Sequence, residues 1–168
     1  MRRVLVIGCP GSGKSTFARA LSAKIGLTLI HLDQLYWNAD RTTVPRSEFD
    51  TRLAQAMAQP FWIIDGNYGA TMAQRMAACD TVFFLDFPTE VCLDGIRARR
   101  GHPRPDLPWI ESGEADPEFM DFVRNYRVQS RPKVLALLQK YSTKNIYIFR
   151  SRAESDAFLA QLPGAEQK

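Results

Sequence analysis

The 168-residue chain is short of cysteine, of long apolar runs and of charge of one sign. Its three cysteines, Cys9, Cys79 and Cys92, are odd in number and lack metal-ligand spacing. That speaks against a disulfide framework and fits a reducing cytosol. The apolar runs are short, as in Val4–Ile7 and Val82–Leu85. A membrane span needs about 18 apolar residues or more. Apolar residues follow Met1-Arg2-Arg3, but Gly8–Ser15 interrupts them sooner than a signal peptide would allow. The expectation is a soluble, cytoplasmic protein with no membrane partner. Lys+Arg number 22 against 18 Asp+Glu, and a net charge of +4 is too small by itself to argue for nucleic-acid binding. There is no helix-turn-helix, zinc-finger or arm-like basic segment, and no internal repeat. At 45% hydrophobic and 24% charged residues, the chain is neither disordered nor collagen-like. Its length suits one domain.

Arginine is abundant: 16 of the 22 basic residues are Arg. Two readings are open, a genomic bias toward Arg codons and a use of guanidinium groups on phosphate or carboxylate. Strand and helix patterns alternate along the chain. Arg3–Ile7, Leu27–Leu32, Phe61–Ile64, Thr81–Asp86 and Asn145–Phe149 read as strands. The periodicity predicts a helix over about Ser15–Ile25, with Phe17, Ala18, Leu21 and Ile25 on one face and Gly26 as its stop. Ser47 is the expected cap of a helix over Glu48–Ala58, and Ala70–Ala78 reads as another. Thr89 is the expected cap of a helix ending at Arg100. Asp116 caps one that begins at Pro117 and continues past a kink at Pro132. Glu154–Leu162 reads as the last helix, and the tail from Pro163 as frayed. Gly101–Ala115 lacks periodicity and holds Pro103, Pro105 and Pro108, which marks a functional or mobile loop. The alternation implies an α/β fold, a parallel sheet covered on both faces.

Gly8-Cys9-Pro10-Gly11-Ser12-Gly13-Lys14-Ser15 matches the phosphate-loop pattern G-x-x-x-x-G-K-[ST], between a strand and a helix. Glycines let successive backbone N–H groups turn toward a phosphate, and the helix N-terminus adds its dipole. The nucleotide site is therefore assigned to residues 8–15 together with Thr16. Lys14 would meet the β- and γ-phosphates of ATP, and Ser15 would offer its hydroxyl to Mg²⁺. Cys9 is either a redox-sensitive thiol with a lowered pKa or a tolerated small residue.

Three aspartates follow strands. In an open parallel sheet, ligands gather at the strands' carboxyl ends. Asp65, after Trp62-Ile63-Ile64, is the preferred Mg²⁺ residue, with Asp86 as the alternative. Asp33 faces either a phosphoryl acceptor or the start of a helix as its cap.

These residues support a resemblance. The phosphate loop, Asp65-Gly66 and the segment Asp94-Gly95-Ile96-Arg97-Ala98-Arg99-Arg100 resemble the adenylate kinase group of P-loop kinases. His31-Leu32-Asp33-Gln34-Leu35-Tyr36-Trp37 and Trp62-Ile63-Ile64-Asp65-Gly66-Asn67-Tyr68 are similar to the bacterial DNA topology modulation proteins. That group is adenylate-kinase-like, and its name records an effect on DNA rather than a reaction. The resemblance implies a single P-loop NTPase domain with three α/β/α layers and five parallel strands. It also implies an acceptor-binding segment at about 33–60 and a short lid at about 101–122. Arg97, Arg99 and Arg100 end one helix, and Arg124, Arg127 and Arg131 share a face of the next. The resemblance makes these six lid arginines, with Lys14, Asp33, Arg99 and Arg127 as the catalytic set. Some must pair with Glu111, Glu114, Asp116, Glu118 and Asp121. The acceptor side falls to Asp33, Tyr36, Trp37, Arg41, Gly66 and Asn67, with Arg46 nearby. Tyr36 and Trp37 either stack on a base or sugar or cover the core. Where adenylate kinases carry Phe-Pro-Arg, this chain has Asn67-Tyr68-Gly69, so the resemblance does not extend to AMP as acceptor.

The expected function is ATP- and Mg²⁺-dependent phosphoryl transfer to a small acceptor, either a nucleotide or a hydroxyl metabolite. The rival is an ATP-dependent regulator acting on DNA topology, which the lack of a DNA-binding element disfavours. Monomer and homodimer are both open. Lys14→Ala is expected to abolish ATP binding in calorimetry; unchanged affinity would remove the phosphate-loop assignment.

Overall fold

The computed structural model describes residues 1–107, 109–111 and 116–164. Glu114 of the expected acidic cluster, Pro108 of the loop and the tail at 165–168 lie outside the described residues. Five strands form one parallel sheet: β1 (Arg3–Gly8), β2 (Leu29–His31), β3 (Trp62–Asp65), β4 (Thr81–Leu85) and β5 (Asn145–Phe149). Their spatial order is β2-β3-β1-β4-β5. From β1 the chain passes to the edge strand β2, returns to place β3 between β2 and β1, and then crosses to the other side for β4 and β5. The end of β1 is the point where a ligand-binding crevice opens.

Period-two burial divides the core into two. Val4 and Val6 of β1, Ile63 of β3 and Phe83 and Leu85 of β4 face one side. There they meet helix α1 (Lys14–Ile25), helix α5 (Thr89–Arg99), helix α6 (Pro117–Gln129) and helix α8 (Arg152–Gln161). Leu5, Ile7, Trp62, Ile64, Val82 and Phe84 face the other side. Helix α2 (Leu32–Tyr36), helix α3 (Arg46–Ala58), helix α4 (Gly69–Ala78) and helix α7 (Arg131–Lys140) cover them. Trp62, Phe83 and Phe84 are fully buried, and each contributes about 1.5–3 kcal/mol by leaving water. This is the three-layer arrangement the alternation implied.

Several boundaries differ from expectation. The second strand keeps only Leu29–His31, and Leu32–Tyr36 turns into the short α2. Pro45 and Pro88, not Ser47 and Thr89, sit at the cap positions of α3 and α5. Proline's fixed φ suits a helix start, so α3 begins two residues earlier and α5 one residue earlier. The helix expected to kink at Pro132 is two helices that part at Ser130, and Pro132 is the second residue of α7. Proline's missing N–H is harmless in a first turn. Asp116 caps α6 as expected, its side chain accepting from the Glu118 N–H. Ser151 caps α8, which starts earlier than predicted.

The phosphate loop leans on α5. A Cβ on Gly11 would lie 2.0 Å from the Cys92 carbonyl oxygen, and one on Gly95 would lie 2.1 Å from the Gly11 carbonyl oxygen. Alanine is the better helix former, yet Gly95→Ala is expected to destabilise by about 1–3 kcal/mol through overpacking. Thermal melts should show a fall of roughly 3–10 °C.

Candidate active site

Gly8, Gly11 and Gly13 hold φ values of 152°, 83° and 93°, which side-chain-bearing residues resist. They curve residues 8–13 into a loop at the end of β1, and α1 begins at Lys14. The Lys14 ammonium donates to the Cys9 carbonyl at 3.1 Å. Burial pushes its pKa down, and the charges of Asp65, Cys9 and Asp33 oppose that shift. Contact with the Cys92 thiol, then burial, pushes the Cys9 thiol far up. The structure thus disagrees with a lowered, redox-sensitive Cys9, because the loop buries that side chain in the core beside α5.

Asp65 ends β3, and the parallel register sets it beside His31 of β2. The His31 ring Nδ1 lies 2.9 Å from Asp65 Oδ2. Asp65 Oδ1 is buried with no partner among the described residues. Asp86, the alternative, has both oxygens engaged by Arg131 at 2.7 Å. Ser15 and Asp65 line the same cleft, and Asp65 keeps an oxygen to give. A hydroxyl and a carboxylate oxygen are the chemistry that could hold Mg²⁺ beside phosphates.

Asp33 lies in the first turn of α2, but the cap position is His31 and no side chain caps the helix. The Asp33 carboxylate instead lines the cleft and accepts from the Tyr68 hydroxyl at 2.7 Å. Burial pushes its pKa up; the Tyr68 bond and the Lys14 charge pull it down.

The segment after α5 also lines the cleft. Arg104 pairs with Asp106 and with Glu111, the latter at 2.7 Å. Arg99 pairs with Glu111 at 3.0 Å, and Arg19 of α1 lies 3.6 Å from Asp106. Gln34 donates to the Pro105 carbonyl at 2.6 Å, and the Trp37 and Trp109 rings meet edge to face. These two contacts join this segment to α2 and to Trp37 just after it.

The expected residues divide. Lys14, Ser15, Thr16, Asp33, Trp37, Arg41, Asp65, Gly66, Arg99 and Arg100 line the cleft. Asn67 does too, but its amide is spent on Gly8: Oδ1 accepts from the Gly8 N–H at 3.0 Å and Nδ2 donates to the Gly8 carbonyl. That corrects its place as a side chain presented to the acceptor. Tyr36 packs among Trp37, Phe49 and Tyr68 and covers the core. Arg46 points outward to Asp50. Arg97 and Arg124 are exposed and pair with Asp94 and Asp121 one helical turn away, off the cleft. Arg127 and Arg131 turn to Asp86, at 3.9 Å and 2.7 Å, and do not line the cleft. The break at Ser130 ends the shared helical face, and a buried carboxylate attracts the two guanidinium groups. Arg19, Arg104, Asp106, Trp109 and Tyr68 were not expected. Arg19 had a signal, standing four residues after Ser15 on one helix face.

No protein-family model matches the chain, and no curated protein matches it. Among solved structures it is similar to the shikimate kinase of Bacteroides thetaiotaomicron, a crystal structure at 1.7 Å resolution. The two share 20% sequence identity and a TM-score of 0.57, with 96% of each chain covered. The fold is that of a P-loop kinase. The cleft just described sits at the carboxyl ends of the strands, where open parallel sheets gather their ligands.

Asp33 has a consequence for stability. Its folded pKa lies above the ordinary 3.8, so the folded protein keeps a proton that the unfolded chain has released. Its contribution to stability therefore falls as pH rises from that value through the folded pKa. Asp33→Asn keeps an acceptor for Tyr68 without the buried charge. Its melting temperature should exceed the wild type's by a margin that widens between about pH 4 and 8. Equal melting temperatures across that range would show no desolvated carboxylate at this position.

Proposed function

We propose that the protein transfers the γ-phosphoryl group of ATP to a hydroxyl of a small acceptor. One observation carries the reading: a half-buried carboxylate, Asp33, free of any capping duty, lines the cleft that holds the phosphate loop. An acceptor that is already anionic needs arginines and little base. A hydroxyl must lose its proton as it attacks, and a carboxylate with a raised pKa suits that task. The cleft encloses about 1930 Å³, well above the roughly 300–1,000 Å³ of a single-ligand site, which suits two substrates at once.

Lys14 and the loop backbone would bind the β- and γ-phosphates. Ser15 and Asp65 would hold Mg²⁺, which supplies charge neutralisation to the phosphates. The acceptor oxygen forms its bond to the γ-phosphorus, the bond to the bridging oxygen of ADP breaks, and Asp33 takes the acceptor's proton. Arg99, Arg100 and Arg104 stand over the cleft, and their guanidinium groups would stabilise charge on the transferring group. Glu111 and Asp106 neutralise two of them in the free protein, so the phosphates must displace those carboxylates. We read residues 33–60 as the acceptor segment and 101–122 as the lid of one kinase domain.

The resemblance to the DNA topology modulation proteins remains part of this proposal at the level of the motifs. A direct role on DNA has less support. Arg46, Arg52, Arg97 and Arg124 on the surface are each paired with a carboxylate one turn away, which dilutes any basic face. Buried free cysteines accord with a reducing cytoplasm.

The test is ATP consumption with Mg²⁺ against a panel of nucleosides, nucleoside monophosphates, sugars and other hydroxyl metabolites. One acceptor should raise turnover far above the water background. Asp33→Asn should then lower kcat by about 10²–10⁴ while ATP affinity holds. Full turnover in that variant would remove Asp33 as the base.

A further inference from the structure

Arg75 of α4 has no part in the scheme above. It is 0% exposed and does not line the cleft. A buried cation is expensive unless its donors are satisfied, most often by a carboxylate. Here the hydrogen bonds go to the loop that joins β3 to α4. Nη1 donates to the Gly66 carbonyl at 2.9 Å. Nη2 donates to the carbonyl of Asn67 and, at 3.1 Å, to that of Tyr68. Nε donates to the Thr71 hydroxyl at 3.2 Å. Three successive carbonyls converge on one planar fork, a geometry that a lysine cannot reproduce.

The loop so held is strained and engaged at both ends. Tyr68 sits at φ 36°, a conformation that persists only when its surroundings over-determine it. Asn67 grips the Gly8 backbone at both its N–H and its carbonyl. The Tyr68 hydroxyl reaches Asp33. One three-residue loop therefore ties the first glycine of the phosphate loop to the carboxylate on the far side of the cleft.

We infer that Arg75 is a positioning residue for nucleotide binding: it fixes residues 66–68 so that Asn67 holds the phosphate loop in its binding shape. This rests on the nucleotide half of the proposed function and needs no acceptor. Arg75 touches no phosphate, so its influence on ATP must pass through Asn67.

A double-mutant cycle on ATP affinity tests this, read by calorimetry with the full chain and Mg²⁺. Arg75→Lys and Asn67→Ala are each expected to weaken ATP binding about tenfold. The double variant should bind no more weakly than the weaker single, because both remove the same grip. A residue that only stabilises α4 would lower the melting temperature and leave the affinity of the folded protein alone. Wild-type affinity in folded Arg75→Lys overturns the inference, and so do losses that multiply in the double variant. If Arg75→Lys does not fold, Thr71→Val takes its place in the cycle; it removes the Nε contact and the Thr71 hydroxyl's own bond to the Tyr68 carbonyl, both of which hold the loop. It is expected to weaken binding about threefold and to couple to Asn67→Ala; additivity there overturns the inference. Transfer to no acceptor in the panel would end the kinase reading and leave this result standing. A wild type that binds no ATP would end both.

Discussion

A phosphate loop must keep its backbone turned inward with nothing but a ligand to reward it. That requirement sets much of the surrounding structure. The loop is suspended at the end of β1, and its neighbours brace it from several directions. Helix α5 presses on Gly11 so closely that neither Gly11 nor Gly95 has room for a Cβ. Asn67 clamps Gly8 from the β3 side, and Lys14 closes back onto the Cys9 carbonyl. The Arg152 guanidinium lies against Gly13 and reaches toward the Gly11 carbonyl. A loop held this way enters the complex with little entropy left to lose.

Charge is concentrated where it is costly. Lys14 and Asp33 are both pushed toward their neutral forms by burial, and each opposes the shift in the other. Arg75 is driven down to about 10 by burial and still carries its proton at neutral pH. A domain built for stability alone would fill these positions with apolar side chains. Lys14 and Asp33 together in one cleft fit a site that trades stability for chemistry.

The segment after α5 manages the same problem differently. Arg104 pairs with Asp106 and Glu111, and Arg99 at the end of α5 pairs with Glu111. The guanidinium groups over the cleft thus draw their counter-charges from the same short stretch of chain.

Local rules were enough for the fold class and the nucleotide loop. Strand periodicity, the run from Gly8 to Ser15 and the cap at Asp116 all depend on neighbours in sequence, so they could be read directly. So could the aspartates at strand ends, because a parallel sheet places them together whatever the connecting helices do. The arginines could not be sorted this way. Arg127 and Arg104 have the same chemistry, and only the break at Ser130 and the buried Asp86 send Arg127 away from the cleft. Asn67 and Tyr68 stood beside Asp65-Gly66 in the sequence, but Gly8 lies 59 residues from Asn67 and Asp33 lies 35 from Tyr68. The sequence by itself determined the layered α/β architecture and the place where phosphate would bind. Only the tertiary structure decided which charges face that place, since long side chains choose partners through space and over distances that no local pattern encodes.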